Sequence, residues 1–223
     1  MIMGVVFDLD GTLVDSVEVH VYAWKEACKA LGIVKGAEDE EKFVEFVRGL
    51  VGLAPIDIAY NITKDMQMAQ RLAEVKQRIY LSKIGEVKIF PGVDKALENL
   101  KKMGLRIAIA SSVPRKVIES VIKANNIARY IDAYVGSDEV SKRKPDPEMF
   151  LKALERIGVE PTNAVIVGDT EYDIAPANRI GAVSILICWR RCLETKASPR
   201  FIAKNIDDVV NIIQNLVKQK PSA

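Results

Sequence analysis

Short apolar runs alternate with longer stretches of helical period along most of the chain. The runs are GVVFDL (4–9), LRIAIAS (105–111), AYVGS (133–137), AVIVGD (164–169) and VSILIC (183–188). They are rich in Val, Ile and Ala, and most run into a polar turn, as strands buried on both faces of a parallel sheet do. Between them lie helical patterns at 93–104, 114–126, 146–158 and 206–219. In the first of these, Ala96, Leu97, Leu100 and Met103 share one face and Gly104 marks the end. Residues 16 to 89 break the rhythm. They hold no buried-strand run, only helical patterns over 17–31, 40–50 and 65–84, before KIFPGVDKAL restarts the alternation with Pro91-Gly92 as punctuation. The pattern predicts an α/β core of about five parallel strands, residues 1–15 and 90–223, with an all-helical insertion over 16–89. An insertion at the C-terminal end of a strand sits over the ligand crevice of an open α/β sheet. This one is placed to act as a lid.

Composition narrows the classes without choosing one. Of 223 residues, 49% are hydrophobic and 28% charged, enough to bury a core of one large domain or two. A net charge of +2 gives no reason to expect nucleic acid or an acidic membrane surface. Cys28, Cys188 and Cys192 have no CxxC spacing and read as free thiols of a reducing compartment, with His20 too distant a fourth member for a zinc set. No apolar run reaches membrane-spanning length, and the first residues lack the basic segment of a secretory signal. A cytoplasmic protein is expected.

The candidate chemistry lies where the apolar runs end. VVFDLDGTLVDS (5–16) places Asp8, Asp10 and Asp15 close together directly after a strand. Buried carboxylates at that spacing repel one another unless something cationic sits among them. Residues i and i+2 of a strand project to the same side, so Asp8 and Asp10 converge there, while Gly11 lets the backbone turn away. One suits a nucleophile and the other proton transfer, given different environments. Asp15 and Ser16 read as the cap of the following helix. In VIVGDTEYD (165–173), Asp169 ends a strand and Asp173 follows four residues on, a pair able to face Mg²⁺, although GD is also a common turn and cap. In IAIASS, the Ser111 hydroxyl and nearby backbone N–H groups suit a phosphate, with Ser112 as cap of a helix opening at Pro114. In SKRKPDP, the run Lys142, Arg143, Lys144 reads as a solvated loop, or as the source of one lysine that neutralises phosphate.

In this order the four stretches resemble the motifs of the haloacid dehalogenase superfamily: DLDGT the first, Ser111 the second, Lys144 in RKPDP the third and GDTEYD the fourth. Four motifs in sequence order are far more specific than any one of them. The resemblance covers essentially the whole chain and implies a Rossmann-like parallel-sheet core with an inserted helical cap. It implies that Asp8 attacks phosphorus to form an aspartyl-phosphate and that Asp10 protonates the leaving oxygen, then deprotonates water. It further implies Mg²⁺ bound by Asp8, the backbone carbonyl of Asp10, Asp169 and Asp173, with Ser111 and Lys144 on the phosphoryl oxygens. Phosphoryl transfer needs such cations and oriented donors. Dehalogenases of the superfamily lack an acid at the position of Asp10, so phosphorus chemistry is expected instead.

Finer resemblances divide. DGTLVDSVEVHVYAWKEACKALGI is similar to β-phosphoglucomutases and sugar-phosphate phosphatases in His20, Ala23 and Trp24, and phosphoglycolate phosphatases share DLDGTLVDS. FVRGLVGLAPIDI (46–58) falls at the substrate-selecting cap loop and lacks the Ser-Arg pattern of a β-phosphoglucomutase. Arg48 is a candidate for a substrate carboxylate or second phosphate, or is a solvated helix charge. His20 either assists the neighbouring acid or is a helix residue near the cap hinge. The expectation is a Mg²⁺-dependent phosphatase of a small phosphorylated metabolite, a sugar phosphate or phosphoglycolate, acting as monomer or homodimer without nucleic acid or membrane. A phosphomutase and a non-catalytic phosphate-binding protein are the alternatives.

Overall fold

The computed structural model describes residues 1–33, 37–50, 52–189, 192 and 195–218, with the backbone alone for 37–40. The elements run β1 (Gly4–Phe7), β2 (Val14–Asp15), α1 (Val17–Ala30), α2 (Ala37–Arg48), α3 (Pro55–Thr63), α4 (Met66–Ser82) and β3 (Lys88–Ile89). They continue with α5 (Val93–Lys102), β4 (Arg106–Ala110), α6 (Arg115–Ala124), β5 (Ala133–Val135), α7 (Glu148–Ile157) and β6 (Ala164–Gly168). The chain closes with α8 (Glu171–Arg179), β7 (Val183–Ile187), β8 (Phe201–Ala203) and α9 (Ile206–Lys218).

Six strands form one parallel sheet in the order β5-β4-β1-β6-β7-β8, an α/β Rossmann-like core. Alternate side chains of each strand serve opposite faces. Val5, Phe7, Ile107, Ile109, Val165 and Val167 pack with α5, α6 and α9 on one face. Val6, Ala108, Ala110 and Ile166 pack under Met149, Phe150, Ala153 and Leu154 of α7 on the other. That double burial is why the strands read as continuous apolar runs. β1 is flanked by β4 on one side and β6 on the other, so the strand order reverses around it. A crevice opens at such a reversal, outside the carboxyl ends of the strands. Asp8, Ser111 and Asp169 each follow one of these three central strands.

The helices α1 to α4 bury their own cluster, in which Val21, Trp24, Ala27, Val47, Ile58, Ala59, Ala69 and Leu72 meet. The two-residue strands β2 and β3 pair antiparallel where the chain leaves and re-enters the sheet domain. No helix among the described residues is long and apolar enough to cross a membrane.

Three expectations change. The sheet gains a sixth strand, β8, short and bounded by Arg200 and Lys204, and the insertion gains a fourth helix, α3, opened by Pro55. The thiol expectation is also corrected: Cys28 alone is free, and Cys188 and Cys192 form a disulfide. Their Cα atoms lie 4.7 Å apart, inside the roughly 4.4–6.8 Å that a disulfide spans. Cysteine usage therefore gives no argument for a reducing compartment.

Candidate active site

Gly11 sets the geometry at the end of β1. It takes φ +81°, its N–H donates to the Val14 carbonyl, and a Cβ there would lie 2.3 Å from Asp169 Oδ2. Only glycine allows both the turn and the close approach of the two motifs. Gly168, at the end of β6, allows a close approach alone: a Cβ there would fall 2.3 Å from the Asp173 side chain. Asp173 is itself fixed by the start of α8: its Oδ2 accepts from the Thr170 N–H at 3.2 Å and the Thr170 hydroxyl at 2.8 Å. This is a capping box, and it leaves Oδ1 facing the crevice.

Asp8, Asp169 and Asp173 come together, each offering an oxygen within 4.8 Å of the others. Lys144, 5% exposed, donates to Asp8 Oδ1 and Asp173 Oδ1 at 2.7 Å each and to the Ala110 carbonyl at 2.8 Å. One ammonium among three carboxylates leaves the cluster negative. Burial pushes the Asp8 carboxyl up to about 7, with Lys144 opposing and Asp173 adding to the rise. Burial, followed by the charges of Asp8 and Asp173, likewise pushes Asp169 well above the usual carboxylate range. Asp169 has the Thr12 hydroxyl at 3.2 Å as a donor. Two acids raised first by burial and then by neighbouring negative charge fit a divalent cation, which would favour their ionised forms.

Asp10 lives differently. Its Oδ1 accepts from the Ser16 hydroxyl at 2.6 Å and lies 3.0 Å from His20 Nε2. Burial raises its carboxyl, but His20, Ser16 and Lys76 outweigh burial and hold it below the usual range. Burial and the Lys76 charge keep His20 below its ordinary value. Lys76, from α4, donates to His20 Nδ1 at 2.6 Å, so the neutral ring presents its Nε2 hydrogen to Asp10. His20 also stacks on Tyr80 at 4.1 Å between centroids.

Asp8, Asp10, His20, Ser111, Lys144, Asp169 and Asp173 all line one cavity. Arg48 does not join them: it lies exposed on α2 and makes two 2.8 Å bonds to Glu18. Its guanidinium finds a carboxylate within the protein, in a pair that is half exposed on both sides. Ser16 occupies the cap position of α1 but gives its hydroxyl to Asp10 rather than to the helix. Ser112 donates to the Gly52 carbonyl at 2.9 Å, joining the β4 end to the insertion, rather than capping α6. Lys76 went unread in the sequence. Its signal was position: Leu72, Lys76 and Tyr80 follow one another at a spacing of four on the buried face of α4.

A parallel sheet carries two acids after its central strand, a third and fourth after its neighbour and a buried lysine between them, a set able to hold a cation beside an anion. The chain belongs to the haloacid dehalogenase-like hydrolase family, whose model it matches over residues 5–187. It is an enzyme, a hydrolase of the phosphatase type. It is 31% identical over 212 residues to a phosphoglycolate phosphatase of Aquifex aeolicus, covering 95% of this chain and 96% of that one. A phosphorylated carbohydrates phosphatase of Thermotoga maritima is 29% identical, covering 80% and 81%. In fold, the chain superposes on a β-phosphoglucomutase of Clostridium difficile with a TM-score of 0.80 at 23% identity, covering 96% of both chains.

Proposed function

We propose that the protein is a Mg²⁺-dependent phosphatase of a small phosphorylated metabolite, working through an aspartyl-phosphate on Asp8. The observation that carries the reading is the contrast between Asp8, in the acid cluster with Lys144, and Asp10, turned to Ser16 and His20. Two carboxylates two residues apart are thereby given two roles.

In this reading an Asp8 oxygen attacks phosphorus in line while Asp10 donates a proton to the departing ester oxygen. Asp10 then takes a proton from water as that water attacks the phosphoryl group, and inorganic phosphate leaves with the Asp8 carboxylate restored. Ser111 and Lys144 bind phosphoryl oxygens, Lys144 trading its bonds to the carboxylates for bonds to phosphate. Asp8, Asp169, Asp173 and the backbone carbonyl of Asp10 would hold Mg²⁺, which when bound offsets charge on the phosphoryl oxygens. Residues 16–89 act as a cap that closes over substrate. Water in the closed site is kept from the first step.

The experiment is phosphate release from phosphorylated metabolites by wild type and Asp8→Asn, each with Mg²⁺ and with EDTA. The proposal expects release by wild type with Mg²⁺ alone. Full Mg²⁺-dependent activity in Asp8→Asn contradicts it.

A further inference from the structure

The loop that carries Lys144 is pinned by the start of α7. The Glu148 carboxylate accepts from the Ser141 N–H and the Lys142 N–H at 2.8 Å each, and Asp146 Oδ1 accepts from the Glu148 N–H at 3.0 Å. Two successive residues of this loop face opposite ways. Lys144 turns inward to Asp8 and Asp173. Arg143 is exposed and reaches the insertion, its Nη1 lying 3.4 Å from Asp57 Oδ1. Asp57 belongs to the first turn of α3, whose Pro55 and Ile58 line the cavity. A second contact joins the same two parts of the molecule. Ser112 donates to the Gly52 carbonyl, and a Cβ on Gly52 would lie 2.8 Å from the Tyr172 ring. Ser112 and Gly52 line the cavity, whereas Arg143 and Asp57 stand outside it.

The cavity between these parts measures about 50 Å³, room for a few water molecules at roughly 10–15 Å³ each. A phosphomonoester with its leaving group needs more. The insertion must therefore swing away for substrate to enter and for phosphate to leave, and each contact between the two parts breaks and re-forms in every turnover. Resting on the phosphatase reading, we infer that Arg143 and Asp57 are the clasp of this closure, and that Arg143 is a positioning residue for the reaction. The pair forms when α3 comes down on the Lys144 loop, so its attraction favours the closed position over the open one. An exposed pair adds little to the stability of a fold. A small bias on an equilibrium crossed in every turnover, however, appears directly in kcat/KM. The basic run is thereby divided: Lys144 serves the phosphoryl group and Arg143 serves the insertion.

The test is a charge swap, read as kcat and KM of the Mg²⁺-loaded enzyme with phosphoglycolate, glucose 6-phosphate and acetyl phosphate, beside the melting temperature of each variant. Arg143→Glu and Asp57→Arg each set like charges against one another. Each is expected to lower kcat/KM by roughly fivefold, the upper end for one exposed pair, and mainly through KM. The double variant Arg143→Glu with Asp57→Arg restores the attraction, and kcat/KM returns to within about twofold of wild type. With side chains 42% and 43% exposed, neither residue supports a core, so all three variants are expected to melt with wild type. A loss of activity that follows a loss of melting temperature makes the pair structural and overturns the clasp. Single variants as active as wild type, or a double variant no better than the poorer single one, overturn it as well and leave the phosphatase reading intact. No Mg²⁺-dependent phosphate release by wild type from any of the three compounds removes the phosphatase reading itself, and the role of Arg143 with it.

Discussion

Asp8 and Asp10 are neighbours on one strand end, yet the electrostatics around them point in opposite directions. Burial carries the Asp8 carboxyl up to about 7 and Asp169 upward with it. A carboxyl raised on folding binds a proton in the native state that the unfolded chain has already released. Between the ordinary carboxylate range and pH 7 the native state therefore holds more protons, and stability falls as pH rises through that window. A divalent cation reverses the penalty by favouring the ionised forms. Mg²⁺ is thus expected to raise the melting temperature at pH 8 by several degrees and to have little effect at pH 5, read by thermal denaturation. An equal shift at both pH values contradicts the acid cluster as the metal site. On the other acid, Lys76 holds the tautomer of His20 that faces Asp10. Lys76→Met is expected to lower kcat by roughly tenfold to a hundredfold, with a smaller change in KM, as loss of a support to acid–base catalysis does. Steady-state kinetics across pH would show it, and an unchanged kcat would leave the lysine a packing residue.

At the scale of elements, the inserted helices depend on a core of their own. Leu72 on α4 is fully buried among Trp24, Ile58 and Ala69. Leu72→Ala is expected to cost about 2–5 kcal/mol, the range of buried leucine truncations, measured from the denaturant midpoint. A cost below about 1 kcal/mol would mean that this cluster collapses without loss. Gly11→Ala tests the turn after β1: its φ of +81° and the 2.3 Å approach to Asp169 both resist a methyl group. That variant is expected to weaken Mg²⁺ dependence well before it unfolds, since the clash falls on Asp169, a carboxylate proposed to hold the metal. The elements legible in the sequence were those with enough residues to show a period. Five buried runs and the helices on α5, α6, α7 and α9 announced themselves by alternation or by an apolar stripe. β2 and β3 are two residues long, below the length at which a pattern exists, and β8, no shorter than β5, was hidden between Arg200 and Lys204. α3 was hidden because Pro55 and the glycines before it read as loop, although proline also opens helices.

For the whole molecule, the site was legible because topology is. Asp8, Ser111 and Asp169 follow strands that are scattered in sequence but adjacent in the sheet, so motifs far apart in the chain meet at one edge. The insertion was legible as helices, but its inward chemistry was not. Arg48 read as a substrate contact or a solvated charge and bonds Glu18, while Lys76 went unread and is 3% exposed beside His20. One sequence gives the phase of a helix; what that helix faces depends on how α1, α3 and α4 pack together. The disulfide is of the same kind, since a separation of four residues does not by itself announce a pairing.

The most direct measurement is an acid quench of the Mg²⁺-loaded enzyme during turnover of a ³²P-labelled phosphomonoester, followed by peptide mapping, for wild type and Asp10→Asn. Asp10 is assigned to activate the water that clears the intermediate, so the variant is expected to hold more label than wild type, on the peptide that contains Asp8. Label on a peptide without Asp8, or none in either protein while wild type releases phosphate, contradicts Asp8 as the nucleophile.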